Sequence, residues 1–233
     1  MADREQLDKL GCLQVAYIRE RTIESAWRMV LWNCARYGYS YRIKKGSYEG
    51  QLRKQLAHLA VVIEEPYTRP LAVWLPENCG IPAPTSEERI QNYFYEYLAT
   101  DTKCEMEDYT YGQHIAPQLP KVIDLLNISG GATNQACMNI GGQENIDLTD
   151  PPCLRVVDFK VVDGRLNMTV FFRSWDIFVG FPENLGGLQL LKEYILMQLK
   201  FPVEDGPITA YSSGAHIYEQ YFPIVNLLNA HKC

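Results

Sequence analysis

Residues 153–174 constrain the fold more than any other part of the chain. Two runs, LRVVDFKVV and RLNMTVFF, flank Asp163-Gly164, a dipeptide suited to the positive φ angles of a two-residue hairpin turn. Such a turn fixes the pairing as Val161 opposite Leu166, Phe159 opposite Met168 and Val157 opposite Val170. All six are apolar and share one face, so turn chemistry and hydrophobic pattern select the same register. Continued outward, that register sets Arg155 against Phe172 and Cys153 against Ser174. It leaves Arg173 on the other face from Cys153, and only a bulge or the end of the ladder turns the guanidinium toward the thiol.

The rest of the pattern surrounds this hairpin with helices and shorter strands. A helix is expected over 22–37, capped by Thr22, with Ile23, Trp27, Val30, Leu31 and Cys34 at helical spacing and Gly38 at its end. The run LAHLAVVI at 56–63 reads as a strand, and the five prolines within 66–86 as an ordered loop. Further helices are expected over 86–99 and 117–127, with a break at Gly130 and Gly131 and a short strand at 136–140. Asn184 reads as the cap of a long helix with Leu188, Leu191, Ile195 and Leu199 inward. A hairpin at the centre, rather than a series of crossovers, indicates a mixed α/β (α+β) layer fold. No repeat or linker divides the chain, so 1–233 is expected to be a single domain.

A chain of 233 residues, 47% of them hydrophobic, builds a core without disulfide staples. Its net charge of −6 argues against a general nucleic-acid grip, which needs a basic face. No stretch approaches the ~20 apolar residues of a membrane span, and the start MADREQLDKLG lacks the order of a secretion signal. A cytoplasmic protein is expected. The seven cysteines (Cys12, Cys34, Cys79, Cys104, Cys137, Cys153 and Cys233) form no CxxC pair. The four histidines (His58, His114, His216 and His231) fall in no zinc-ligand spacing. Reduced thiols and no metal are the expectation.

Four groups carry possible chemistry. A cation beside Cys153 favours the thiolate and makes a nucleophile; otherwise Cys153 is a small hydrophobe at a strand start. Arg173 with Ser174 offers a fixed cationic fork and a hydroxyl to a phosphate, or forms an ordinary surface ion pair. His216 and Tyr218 point the same way if AHIY is a strand and suit one sugar, or are simply packed. Asn184 presents an amide to a base edge, or only caps its helix.

Taken together, these motifs resemble thymidylate synthase. The carriers are PPC at 151–153, the DG hairpin, RSWDIFVGFPENL at 173–185 and AHIY at 215–218, with YTYGQ at 109–113 upstream. The resemblance is specific over about 109–218, and PPCL and FFRS make it most like the compact archaeal-type branch. It implies reductive methylation of dUMP to dTMP at carbon 5, with Cys153 adding covalently to carbon 6. The implied co-substrate is 5,10-methylenetetrahydrofolate or methylene-tetrahydromethanopterin. It implies that Arg173 binds the phosphate and tunes the thiolate and that Ser174 touches the phosphate. Asn184 would read the uracil edge, and His216 and Tyr218 would hold the ribose. Asp176 and Gly180 would face the pterin, and Tyr111 would sit near the proton-abstraction site. It also implies a homodimer packed sheet to sheet, foreshadowed by apolar Val156 and Phe171 on the second face of the hairpin.

The departures from the family pattern are specific. Its adjacent arginine pair is matched by Asn134 and Gln135, a loss of roughly 1.5–3 kcal/mol for each charge-assisted hydrogen bond; Arg42, Lys44 or Lys45 are the candidates to compensate. Its glutamate is matched only by Glu96. Phe172, Gly214 and Leu154 stand where a glutamine, an aspartate and a histidine are usual. A pyrimidine nucleotide hydroxymethylase and a non-catalytic nucleotide-binding relative are the competing readings.

Overall fold

The computed structural model describes residues 15–46, 48–75, 80–103 and 108–231. Cys12, Cys79, Cys104 and Cys233, and the His231 side chain, lie outside the described residues. Two sheets organise the molecule. The larger has six strands in the order β1 (Val15–Glu20), β4 (His58–Ile63), β9 (Glu204–Ser212), β7 (Arg165–Phe172), β6 (Leu154–Val162) and β5 (Cys137–Asn139). The smaller has four: β2 (Tyr39–Arg42), β3 (Leu52–Leu56), β10 (Ala215–Tyr218) and β8 (Trp175–Asp176). Both are mixed, with β1–β4, β7–β9 and β8–β10 parallel and the other pairs antiparallel.

The hairpin β6–β7 has the expected register from Val162–Arg165 out to Val157–Val170, with Asp163 at φ 50° and Gly164 at φ 72°. The apolar face of that ladder is buried: Val157, Phe159, Leu166, Met168 and Val170 are all fully covered. Helices α1 (Ile23–Tyr37), α3 (Gly112–Ser129) and α4 (Gly180–Gln198) supply the other side of the core. Thr22 caps α1 and accepts from Ser25 N at 3.1 Å, as its position before the periodic run predicts. Ser86 caps α2 (Glu87–Asn92), which widens into a π-helical turn over Tyr93–Leu98. Such turns mark sites where a helix gains a residue and aims its side chains differently.

Three element boundaries differ from the sequence reading. The apolar run at 56–63 is two strands: Leu56 ends β3 in the small sheet and His58 opens β4 in the large one. Hydrophobic pattern alone does not reveal a chain that changes sheets. Helix α3 begins at Gly112, five residues before Pro117, and carries Pro117 and Pro120 inside it. Each proline removes one amide donor, and both lie on the exposed side of the helix. Finally, α4 begins at Gly180, so Asn184 lies inside the helix rather than capping it. Asp176 Oδ1 instead orders the turn that leads into the helix, accepting from Phe178 N at 2.9 Å and Val179 N at 3.4 Å.

Candidate active site

The hairpin's open end contains a β-bulge. Leu154 pairs with Phe172 and Val156 with Phe171, leaving Arg155 as the extra residue. Everything before the bulge therefore moves by one position. Cys153 lies opposite Arg173, not Ser174, and Arg173 N donates to Cys153 O at 2.9 Å. The strict register of the sequence reading is corrected here, and the bulge brings the guanidinium to the thiol's side. Arg173 is then held by the two prolines that precede the cysteine: Nε donates to Pro152 O at 3.0 Å and Nη2 to Pro151 O. Asp150 lies 3.5 Å from Nη2. Burial pushes the Cys153 thiol up from its ordinary value, and Arg173 is the strongest influence holding it down, helped by Arg53 and the Ser174 hydroxyl.

Cys153, Arg173 and Ser174 open onto a cavity of about 320 Å³ whose other wall is the small sheet. Asp176 pairs with His216 across β8 and β10, and Arg53 on β3 pairs with Tyr218. Four cations line the cavity (Lys44, Lys45, Arg53 and Arg173) against the two acids Asp150 and Asp176. In a chain of net charge −6, that local excess of positive charge suits an anion. Arg42 does not line it, and neither does Glu96, which is exposed on the π-helical turn. Asn134 and Gln135 are exposed in the segment leading into β5. A larger, apolar groove of about 410 Å³ between α1 and α5 (Phe222–His231) holds no nucleophile or acid–base pair, so the chemistry belongs to the smaller cavity.

The polar groups are set for a ligand with hydroxyls. Burial pushes His216 down to about 3, with the Arg53 charge acting the same way, so its ring is neutral. Its Nδ1 lies 2.8 Å from Gly214 O, an acceptor only, so Nδ1 carries the proton and Nε2 is left as an acceptor. That Nε2 is buried and without a partner. The Tyr218 hydroxyl accepts from Arg53 Nη2 at 3.0 Å, leaving its own proton to donate. Tyr48 packs against the Tyr218 ring with centroids 4.2 Å apart and planes tilted by 33°. Burial pushes Asp176 up to about 6. Behind the nucleophile, the buried Tyr111 accepts from Leu154 N at 3.2 Å and packs with Tyr97 and Tyr109.

Gly180 and Asn184 sit beside this cavity without lining it. A Cβ at Gly180 would lie 3.3 Å from Asn184 Oδ1 and 3.5 Å from Asp176 Cβ, so the glycine keeps room between the two. Sequence reasoning missed Arg53 and Tyr48. The segment LRKQL reads as an unremarkable polar run, and only its pairing with AHIY brings Arg53 to the site. Among the described residues, no three His, Cys, Asp or Glu side chains cluster as metal ligands would. Among the same residues, no helix is long and apolar enough to cross a membrane.

Fold and site define a mixed α/β protein with a thiol–arginine pair opening on an anion-suited cavity. The thymidylate synthase family model matches residues 90–231. A protein of Methanosarcina acetivorans named "Putative thymidylate synthase" is 31% identical over 217 residues, covering 89% of this chain and 92% of that one. One of the same name from Methanococcoides burtonii is 32% identical, covering 87% and 89%. The solved thermostable thymidylate synthase A of Bacillus subtilis superposes with a TM-score of 0.64 at 14% identity, over 88% of this chain and 83% of that one. The chain belongs to the thymidylate synthase family.

Proposed function

We propose that residues 1–233 form one domain of a thymidylate synthase-type methyltransferase, of the compact archaeal-type branch, converting dUMP to dTMP with a methylene-pterin donor. The bulge at Arg155 carries this reading, because it sets a cation against a thiol that faces the cavity. The Cys153 sulfur bonds to carbon 6 of uracil, and the electrons of the 5,6 double bond move to carbon 5. Asn184 supports the charge that develops toward oxygen 4, as an amide donor can. Carbon 5 then accepts the one-carbon unit and loses its proton, with Tyr111 placed behind the thiol to guide that transfer. Expulsion of the Cys153 thiolate restores the double bond. A reduced pterin, when bound, supplies the methylene carbon and the hydride that completes the methyl group.

Arg173 and Ser174 take the phosphate, and Lys44, Lys45 and Arg53 replace the charge missing at Asn134 and Gln135. The orphaned Nε2 of His216 and the free Tyr218 proton fit a sugar hydroxyl, which both accepts and donates. Asp176 and Gly180 face the pterin; the carboxyl of Asp176 has an oxygen beyond the one its backbone amides occupy.

The test uses the purified chain, 5-fluoro-dUMP and methylene-tetrahydrofolate, followed by mass spectrometry of the denatured mixture. A ternary adduct mapped to Cys153, and absent from Cys153→Ser, is the expected result. A folded protein that forms no adduct with this donor or with methylene-tetrahydromethanopterin would overturn the assignment. Product analysis with dUMP then separates methyl from hydroxymethyl.

A further inference from the structure

An asparagine does not by itself distinguish uracil from cytosine. Uracil offers an acceptor at position 4 and a donor at 3; cytosine offers a donor at 4 and an acceptor at 3. A carboxamide turned through 180° exchanges its own donor and acceptor and serves either base equally well. Selectivity therefore needs something that prevents the turn.

Trp175 is placed to do so. Its indole Nε1 donates to Asn184 Oδ1 at 3.0 Å. The indole N–H is a donor only, so the amide oxygen, never the NH₂, faces it. The ring has no freedom to turn away: it is 2% exposed, stacked on Phe172 at 4.3 Å and on Phe181 at 4.6 Å. Asn184 is fixed in turn by its place in the first two turns of α4, with Gly180 beneath its oxygen. On the other side lies Tyr93, stacked on Tyr97 at 5.5 Å, whose buried hydroxyl oxygen makes no hydrogen bond of ordinary geometry. The Asn184 amide is close enough to act on that hydroxyl. A flipped amide would set NH₂ against N–H at Trp175 and lose the one hydrogen bond that fixes it.

We infer that Trp175 is a positioning residue that locks the Asn184 carboxamide in one orientation and so sets the choice of base. The inference rests on the reading of Asn184 as the group that meets the uracil edge. In Trp175→Phe the stacking is kept and the N–H is lost. The ratio of dissociation constants for dCMP and dUMP, measured by equilibrium binding, should fall by about two- to tenfold, the worth of one neutral hydrogen bond. A carboxylate has two equivalent oxygens and no orientation to lock. In an Asn184→Asp background, Trp175→Phe should therefore leave the ratio unchanged, which a general loosening of the site would not produce.

An unchanged ratio in a folded Trp175→Phe protein, with the native chain still selective for dUMP, would overturn the lock alone. A native chain that binds neither nucleotide would overturn the reading of the site and the lock with it. Should Trp175→Phe fail to fold, the indole N–H resonances of Asn184→Asp decide. Trp175 and Trp27, whose indole donates to Phe178 O at 3.1 Å, are the buried pair. One of these two resonances should move downfield toward the stronger carboxylate acceptor; two unmoved resonances would refute the hydrogen bond on which the lock depends.

Discussion

Asp176 and His216 face each other across two paired strands, and burial shifts them in opposite directions. Asp176 is pushed up to about 6 and His216 down to about 3. Between about pH 4 and 6 the unfolded chain gives up the Asp176 proton while the folded chain keeps it, so this group lowers stability as pH rises. The cost is complete above about pH 6. His216 runs the other way: below about pH 6.5 the unfolded imidazole takes a proton that the folded one refuses until about 3, so stability is lost as pH falls. The two effects oppose each other across the same window. Asp176→Asn keeps an oxygen for the amides of Phe178 and Val179 and removes the first effect. Urea unfolding should show the variant more stable near pH 7.5 by on the order of 2–3 kcal/mol, with a steeper loss toward pH 4. A variant less stable than the native chain near neutral pH would show that the carboxylate is not held at a cost. If Asp176 meets the pterin, the same variant should turn over poorly, the usual exchange of stability for function in a strained site.

At the scale of elements, the sequence was most legible where two local signals agreed. Asp163-Gly164 and the alternation on either side of it specify the β6–β7 register pair by pair. Thr22 and Gly38 bound α1 because capping chemistry and helical spacing coincide there. Legibility failed where a long-range partner decides. Nothing local in LRKQL shows that it pairs with AHIY, so Arg53 stayed invisible as a site residue. Asn184 has a cap's chemistry, yet the indole of Trp175 takes its oxygen and the helix starts a turn earlier. The pattern shows that a bulge or a ladder end must bring Arg173 to Cys153, but nothing local places that bulge at Arg155. The contact of α4 with α2 and the π-helical turn was also hidden, although two adjacent glycines mark it. A Cβ on Gly186 would lie 2.8 Å from Ile90 Cδ1, and one on Gly187 would run into the Tyr93 ring. Gly187→Ala gains helix propensity but overpacks this contact. The net effect should be a loss of about 1–2 kcal/mol in urea unfolding, with the tyrosine cluster beside Cys153 displaced. Unchanged stability would mean that the Tyr93 ring gives way to the added methyl group at no cost.

For the whole molecule, the outer face of the large sheet remains to be explained. Following the register across the strands, Tyr17 aligns with Ala60, Ala60 with Tyr211, Tyr211 with Phe171, and Phe171 with Val156. The row is apolar or aromatic throughout. Tyr17 is 65% exposed, Tyr211 45% and Phe171 36%. The neighbouring row, Arg19, Val62, Thr209, Thr169 and Asp158, is mostly polar. A single band of this kind, running the width of the sheet, is more than scattered surface apolarity and fits burial against a partner. We expect a second copy, because a two-fold axis sets the same band against itself. The bulge ties this face to the site: Phe171 and Val156 pair just beyond Arg155, on the side opposite the core. Tyr211→Glu with Phe171→Glu places four like charges at the self-contact and leaves the inner face untouched. Sedimentation should give a dimer for the native chain and a folded monomer for the double variant. A native chain that sediments as a monomer at micromolar concentration would remove the sheet-to-sheet dimer and require the cavity to bind its nucleotide with the residues of one chain.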